Sequence, residues 1–415
     1  MVVRSNKVMK KCCVIGLGYI GLPTAAVLAS KGNDVLGVDI NPNIVDLINK
    51  GKIHIVEPGL DAIVKETVTC GSLRASKSPE ASDVFLIAVP TPCADSINGI
   101  PQPSIEYVIQ AAISIASVIK SGDLILLEST SPIGSTEKIA ELISQISGLN
   151  LNQFYVSYSP ERVFPGKVLY ELVYNDRLIG GINKESADCG AKFYSTFCKG
   201  NVYKTNSKTA ELAKLSENAF RDINIAFANE LSMICKDLDI DDNELIKLVN
   251  CHPRVNVLEP SCGVGGHCIA IDPWFIASSF PTKTTLIQAA RKVNNSKSKW
   301  VVDQIMIKID ELKNKLNRDI NIGCLGLAYK PNIDDLRESP ALEITTCLSN
   351  KGINIYACEP NLSVHATIKL YSLEETLEKS DLIVLLVAHK QFKKINFSRY
   401  DILDFCGLTK VDKIN

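Results

Sequence analysis

The reactive side chains of this chain concentrate in Gly263-Val264-Gly265-Gly266-His267-Cys268-Ile269-Ala270-Ile271-Asp272-Pro273. Three glycines in four positions let a backbone approach a ligand closely. A cysteine follows them, and a carboxylate comes four residues later. Were a helix to open at Cys268, its N-terminus would favour the thiolate and Asp272 would share its face. Asp272-Pro273 reads equally as a cap and first helical position, which extends the loop through Asp272. Three plainer readings stand beside the nucleophilic one. They are a buried, inert cysteine, a structural glycine turn, and a zinc site from Cys262, His267 and Cys268, which no C-x-x-C pair supports. A thiolate has a specific use beside a hydride acceptor. Taking a primary alcohol to an acid needs two oxidations, and the second requires a tetrahedral centre at the aldehyde level. A thiohemiacetal provides that centre, its oxidation gives a thioester, and water releases the acid. Lys214 and Asn218 are four apart in a helical stretch and so share a face. An ammonium and an amide aimed at one point stabilise an oxyanion. Alone, Lys214 reads as one solvated charge on a long helix.

A hydride acceptor is indicated by Val14-Ile15-Gly16-Leu17-Gly18-Tyr19-Ile20-Gly21, a G-x-G-x-x-G between a strand and a helix. Gly16 permits the tight turn, Gly18 lets a pyrophosphate approach the backbone, and Gly21 lets the helix pack close to the sheet. The N–H groups at the helix start face the phosphates. Asp39 lies 23 positions after Gly16, at the end of the next strand. A carboxylate there accepts both ribose hydroxyls and repels a 2′-phosphate, which favours NAD over NADP. The plainer alternative is an ordinary α/β turn with an incidental acid. Thr91 (in Pro90-Thr91-Pro92) and Thr130 (in Glu128-Ser129-Thr130) fall where neighbouring strands end and are candidate cofactor contacts, although threonine in a turn commonly just bonds local backbone.

To position these groups the first half must alternate strands, at 12–15, 34–38, 83–89, 123–127, 154–157 and 177–179, with helices at about 104–120, 135–147 and 184–197 and one from Asn41-Pro42 to Gly51. From residue 207 the texture changes. Residues 209–238 lack Gly and Pro and carry apolar residues at helical spacing, the pattern of a spine joining domains or subunits. A second long helix, 285–316, leads to strands at 321–325, 354–358 and 381–387 with helices at 341–350 and 373–379. The fold class is therefore α/β. An N-terminal Rossmann-type parallel sheet (1–206) precedes a central helical domain holding the catalytic loop (207–317) and a C-terminal Rossmann-like domain (318–415), with no repeat visible between the halves.

Composition narrows the function classes. A chain of 415 residues, 46% hydrophobic and 22% charged, is too long for one core and too apolar for general disorder. Its 45 basic and 46 acidic residues nearly cancel, without a block of one sign, so neither a nucleic-acid nor an anionic-membrane footprint is expected. The longest apolar runs, such as 382–388, are too short to span a bilayer. Fourteen scattered cysteines fit reduced thiols in a cytoplasmic enzyme. Arg4, Lys7, Lys10 and Lys11 before an apolar stretch imitate a signal peptide, but Gly16, Gly18, Gly21 and Pro23 interrupt it, so a cytosolic domain start is expected.

With these residues in place the chain resembles the UDP-sugar 6-dehydrogenases of the UDP-glucose/GDP-mannose dehydrogenase family, in the branch oxidising N-acetylated hexosamines. The likeness runs through VIGLGYIGLPTA, VDIN, HIVEPGL, LIAVPTP, LESTSPIGSTEK, SPERVFPG, NDRLIGG, TAELAKLSENAFRDINIAFANEL, HPRVNVLEPSCGVGGHCIAIDPWF and GLAYKPNIDDLRESPALEI. HPRVN, GHCIAIDPWF and NIDDLRESPA lean towards the mannosamine-oxidising members. The resemblance implies that UDP-N-acetyl-D-mannosamine, two NAD and water give the uronate and two NADH, for surface-polysaccharide synthesis. The same chemistry on UDP-N-acetylglucosamine or UDP-glucose is the near alternative. A silent NAD- and UDP-sugar-binding regulator and a zinc alcohol dehydrogenase are the distant ones. It implies that Cys268 is the nucleophile, that Lys214 moves the proton and with Asn218 steadies the oxyanion, and that Asp272 helps activate water. Tyr19, Ile20, Asp39, Thr91, Thr130 and Arg337 would contact NAD. Arg162, Val163, Arg221, His252, Arg254, Gly265, Tyr329 and Lys330 would hold the UDP-sugar, with Lys214 and Asn218. Arg254 would reach a neighbouring subunit's substrate, making a homodimer functional. No metal is implied. Arg337 sits among acids (Asp334, Asp335, Glu338) that could simply pair with it. The second α/β region has Gly323 and Gly326 but no full glycine motif, which suits a UDP-holding domain.

Overall fold

The computed structural model describes residues 10–164, 166–266 and 268–409. Arg4 and Lys7 lie outside the described residues. The chain forms two compact units, Met1–Leu215 with Trp274–Ser279, and Ser216–Pro273 with Phe280–Asn415.

The first unit is built on β1 (Lys11–Ile15), β2 (Asp34–Val38), β3 (Leu73–Ser76), β4 (Val84–Ile87), a hairpin of β5 (Cys93–Ile97) and β6 (Ile100–Pro103), then β7 (Leu124–Leu127), β8 (Tyr155–Tyr158), β9 (Arg177–Gly181) and β10 (Val202–Asn206). Eight of these form one sheet in the order β10-β9-β8-β7-β4-β1-β2-β3. Neighbours are parallel except β8 and β9. The central strands VFLI and LILL are fully buried. Alternate residues feed two cores: Val84, Leu86, Leu124 and Leu126 point to one face, Phe85, Ile87, Ile125 and Leu127 to the other. Both faces being covered, these strands read as unbroken apolar runs. The chain goes from β1 to β2 on one side and returns to β4 on the other, so the strand order reverses between β1 and β4. That is where an open sheet leaves a crevice for a ligand.

Helix ends follow local chemistry. Asn41 caps Pro42–Asn49 by accepting from the Asn43 N–H. Ser135–Ser147 is bounded by Gly134 and Gly148 at φ of 91° and 75°, left-handed values that glycine adopts without strain. Strands β3, β10 and the hairpin were not expected from the sequence. β3 and β10 are sheet edges and, like the hairpin, are short and largely polar, with no need of an apolar run.

In the second unit β11 (Asn321–Leu325), β12 (Asn354–Cys358), β13 (Leu382–Leu385) and β14 (Asp401–Asp404) form a parallel sheet in the order β12-β11-β13-β14. The helix Thr285–Leu316 packs Val301, Val302, Ile305, Ile309 and Leu312 into the core beneath it. The spine helix runs Ser207–Asp237. Among the described residues no helix is long and apolar enough to cross a membrane.

Candidate active site

In the first unit the glycine turn has the shape a dinucleotide requires. Gly16 has φ 91°, and a Cβ there would stand 2.4 Å from the Ala88 carbonyl oxygen. A Cβ on Gly21 would stand 1.8 Å from the Gly16 carbonyl oxygen. Gly18 differs: a Cβ there meets nothing within 4 Å, so its missing side chain opens space rather than relieving a clash. No side chain caps the helix Gly21–Ser30; within it the Leu22 N–H donates to the Gly18 carbonyl (3.2 Å), the Thr24 N–H to the Ile20 carbonyl (3.0 Å), and Pro23 carries none. Asp39 accepts from the Leu17 N–H (3.1 Å) and the Asn41 N–H (2.9 Å), which fixes the carboxylate and leaves lone pairs for ribose hydroxyls. Tyr19 is exposed and Ile20 half-buried beside the turn. The loops after β4 and β7 are tied together because the Ser129 hydroxyl accepts from the Val89 N–H (2.9 Å) and donates to the Val89 carbonyl (2.7 Å). Thr91 and Thr130, both half-buried, leave from these loops. This donor set fits NAD.

The same unit holds a buried charge network absent from the expectations. Lys214 Nζ donates to the Glu161 backbone oxygen at 2.6 Å. The Glu161 carboxylate accepts from Arg177 Nη1 (3.0 Å) and the Arg162 N–H (2.7 Å). The Arg177 guanidinium lies over the Tyr194 ring at 5.1 Å, and the Tyr194 hydroxyl donates to Glu128 at 2.6 Å. Glu128, Arg177 and Tyr194 are almost excluded from water. Arg162 and Val163 themselves are half-buried. A second hidden acid holds the next stretch: the Glu57 carboxylate accepts from the Gly166 and Val168 N–H groups, both at 2.8 Å. Glu211 fastens the spine helix by accepting from the Gly134 and Thr136 N–H groups.

The network carries a pH signature. Burial pushes the Glu128 carboxyl up to about 7; the nearby Glu161 charge adds to this, and Arg177 opposes it. The folded state therefore keeps a proton that the unfolded chain releases near 4.5, and stability from this group is lost as pH rises through about 7. Glu128→Gln is expected to flatten a downward drift of a few degrees in melting temperature between about pH 5 and 7.5. An unchanged drift in that variant rejects the assignment.

In the second unit Cys268 is half-buried. Its carbonyl accepts from the Ile271 and Asp272 N–H groups (3.0 and 2.8 Å), so a turn follows the thiol and the helix Asp272–Ser279 starts only at Asp272. A helix opening at Cys268 is thus overturned. Pro273, lacking an N–H, sits in the first turn, where none is needed, and the thiol has no helix N-terminus behind it. Positive charge comes from side chains instead, for Lys330 stands within electrostatic range of Cys268, Arg221 and Asp335. Burial holds the Lys330 ammonium below its ordinary value; Asp335 opposes this, Arg221 adds to it, and Cys268 opposes it. Cations around a thiol favour its nucleophilic form. Asn218 Nδ2 donates to Asp272 Oδ2 at 2.5 Å, both residues being buried.

The glycines before Cys268 lean on the segment after β11. A Cβ on Gly265 would meet the Glu338 carbonyl oxygen at 2.4 Å and Tyr329 at 2.8 Å, and one on Gly266 the Tyr329 ring at 2.8 Å. The Gly266 N–H donates to the Arg337 carbonyl at 3.1 Å. Arg337 is bound by Asp335 (Nη2 to Oδ2, 2.6 Å), the acid pairing weighed against its cofactor role. His252 and Arg254 lie in an exposed stretch, 251–256. Cys262 is buried with its thiol pushed up to about 12, a poor zinc ligand. His267 lies outside the described residues, among which no metal-binding group of three is present.

Glu57, Glu128, Glu161, Arg177 and Tyr194 were not among the expected site residues. One signal was legible: Glu128 follows a wholly apolar strand without a turn between, an unusual place for an unpaired acid.

Three family profiles match, described as the UDP-glucose/GDP-mannose dehydrogenase family NAD binding domain (residues 10–198), central domain (208–296) and UDP binding domain (323–404). The chain is 48% identical over 412 residues to UDP-N-acetyl-D-mannosamine dehydrogenase of Campylobacter jejuni, covering 95% of this chain and 99% of the relative. It is 46% identical over 417 residues to NDP-N-acetyl-D-galactosaminuronic acid dehydrogenase of Ralstonia nicotianae, covering 97% and 96%. Its fold is similar to the solved UDP-N-acetyl-mannosamine dehydrogenase Cap5O of Staphylococcus aureus, with a TM-score of 0.88 at 40% identity over 97% of this chain and 96% of that one.

Proposed function

The chain belongs to the UDP-glucose/GDP-mannose dehydrogenase family, and from that premise we propose that it oxidises UDP-N-acetyl-D-mannosamine to the uronate through a thioester on Cys268. The observation that carries this reading is a half-buried thiol with Lys330 in electrostatic range, on a glycine-walled turn ending at Asp272, in a chain whose first sheet fits NAD. NAD, when bound, accepts a hydride at each of the two oxidations. Gly16, Gly18, Gly21 and Asp39 hold it, with Tyr19, Ile20, Thr91, Thr130 and Arg337 as further contacts.

Cys268 adds to the aldehyde carbon, and Lys214 and Asn218 stabilise the oxyanion that forms. Loss of a hydride from this thiohemiacetal leaves the thioester. Water then attacks the acyl carbon with help from Asp272, the C–S bond breaks, and the thiol is restored. One sugar and one water thus yield one carboxylate with two hydrides removed. Arg162, Val163, Arg221, His252, Arg254, Gly265, Tyr329 and Lys330 hold the UDP-sugar, basic side chains suiting the pyrophosphate. We place Arg254 in a homodimer, reaching the partner's substrate. Supporting this, Phe220, Phe227 and Ile234 form a seven-residue-spaced stripe on the spine helix, exposed by 67%, 49% and 53%. The proposal extends to a cytoplasmic location, a role in surface-polysaccharide synthesis and three domains at 1–206, 207–317 and 318–415.

The Ralstonia relative favours a second reading, the same chemistry on an N-acetylgalactosamine nucleotide. Turnover on the UDP forms of N-acetylmannosamine, N-acetylglucosamine, N-acetylgalactosamine and glucose, measured side by side, selects among them. Two NADH per sugar with no free aldehyde are expected; one NADH and released aldehyde reject the thioester. No turnover on any of the four revives a regulator that only binds.

A further inference from the structure

The second sheet repeats a feature of the first and uses it differently. In the first, Gly16 follows β1, Leu17 comes next, and the Leu17 N–H donates to Asp39 beyond β2. In the second, Gly326 follows β11, and the Leu327 N–H donates at 2.8 Å to Glu359 beyond β12. Asp39 is half-buried, whereas Glu359 is 3% exposed and sealed by His389, which is wholly buried.

Glu359 has no lone pair left for a ribose. Its Oε2 accepts from the Leu327 N–H (2.8 Å), the Ala328 N–H (3.0 Å) and His389 Nε2 (3.0 Å), and its Oε1 accepts from the Asn361 N–H (3.1 Å) and Nδ2 (3.0 Å). Five donors saturate a carboxylate. The tautomer of His389 follows from its other nitrogen. The Asn332 N–H donates to Nδ1 at 2.9 Å, so Nδ1 carries no proton and the ring donates from Nε2 to Glu359. Asn332 adds a clasp of its own: it adopts φ 63°, and its Oδ1 accepts from the Lys390 N–H at 2.9 Å.

The segment held in this way runs from Gly326 to Ser339. Its near end packs on Val387, which a Cβ on Gly326 would meet at 2.5 Å. Its far end is tied back by the Ser339 hydroxyl donating to the Leu327 carbonyl at 2.6 Å. Between them lie Lys330, within electrostatic range of Cys268, and Tyr329 and the Arg337 carbonyl, on which the glycine turn before Cys268 rests.

We propose that His389 and Glu359 are positioning residues of the reaction. Clasping the segment Gly326–Ser339, they hold Lys330 and the backing of the Cys268 turn in the arrangement that binds UDP and presents the thiol. The inference rests on the proposed function, since it takes UDP as the ligand of this segment. Neither residue touches the reacting atoms in this account. A displacement of about 1 Å in such a support costs up to about a hundredfold in rate.

The test compares the full-length protein with His389→Phe, which removes both ring nitrogens, His389→Gln, whose amide offers a donor and an acceptor, and Asn332→Gly, which tolerates the left-handed backbone but loses the Lys390 clasp. UDP binding by calorimetry, kcat, and melting temperature are measured for each. A Kd for UDP weakened about tenfold and kcat lowered about ten- to a hundredfold are expected in His389→Phe, with recovery in His389→Gln and a smaller shift of the same kind in Asn332→Gly. A fall in melting temperature with UDP affinity and kcat within about twofold of the unsubstituted protein overturns the inference. Should His389→Phe not fold, Asn332→Gly decides alone by the same criteria. Unsubstituted protein that neither binds UDP nor turns over a UDP-sugar rejects the proposed function instead; active protein with indifferent clasp variants rejects only the clasp.

Discussion

Cys268→Ser is expected to lower acid formation from the UDP-sugar by about four orders of magnitude or more while NAD binding stays within about twofold. A serine hydroxyl is scarcely ionised at neutral pH, even with Lys330 in range, so it adds poorly to an aldehyde and leaves poorly from the resulting ester. The turn itself tolerates the change. The backbone bonds from Ile271 and Asp272 to the Cys268 carbonyl involve no side chain, and serine is the smaller residue. NAD binding should persist because none of the residues assigned to NAD, Gly16, Gly18, Gly21 and Asp39 among them, is altered in this variant. Product analysis by mass spectrometry with a parallel NAD titration is the measurement. Uronate formed by the serine variant at even a hundredth of the normal rate would sink the thioester route. Thirteen other cysteines remain in that variant, so residual thiol chemistry is assessed in the same experiment. Cys12, Cys13, Cys324 and Cys358 are buried with thiols pushed up to about 12 and are poor substitutes.

Lys214→Met should reduce kcat by about a hundred- to a thousandfold, the usual effect of removing one donor from an oxyanion site. Methionine keeps much of the aliphatic length and removes the ammonium, which also frees the Glu161 carbonyl that Nζ binds at 2.6 Å. Glu161 stays in place because its carboxylate is held independently by Arg177 and the Arg162 N–H. The loss should therefore fall on kcat, with little change in melting temperature or NAD affinity. Lys214→Arg is the informative companion: a planar guanidinium retains the charge but neither the point geometry nor the ability to give up a proton, and it should restore little. A Lys214→Met enzyme within tenfold of the unsubstituted rate would return Lys214 to the solvated charge it resembles when its helix is read alone.

Local patterns determined a great deal. The turn Gly16–Gly21 with Asp39, the fully apolar central strands, the capped start at Asn41-Pro42 and the Gly-free spine are consequences of backbone freedom, alternation and periodicity, which act over a few residues. The helices Ser135–Ser147, Thr285–Leu316 and Leu373–Lys379 fall where those patterns put them. Short polar edge strands escaped because an edge buries little and so leaves little mark.

What folding alone decided is which distant groups meet. Asn218 and Asp272 pair across 54 positions, Glu57 binds the Gly166 N–H across 109, and Glu359 meets His389 across 30. No periodicity encodes such pairings, because each depends on strand order and chain crossing rather than on neighbours in sequence. The charge around Cys268 shows the difference most plainly. Residue order alone reveals a cysteine after three glycines, but Lys330 comes within electrostatic range of it only once the segment after β11 is in place.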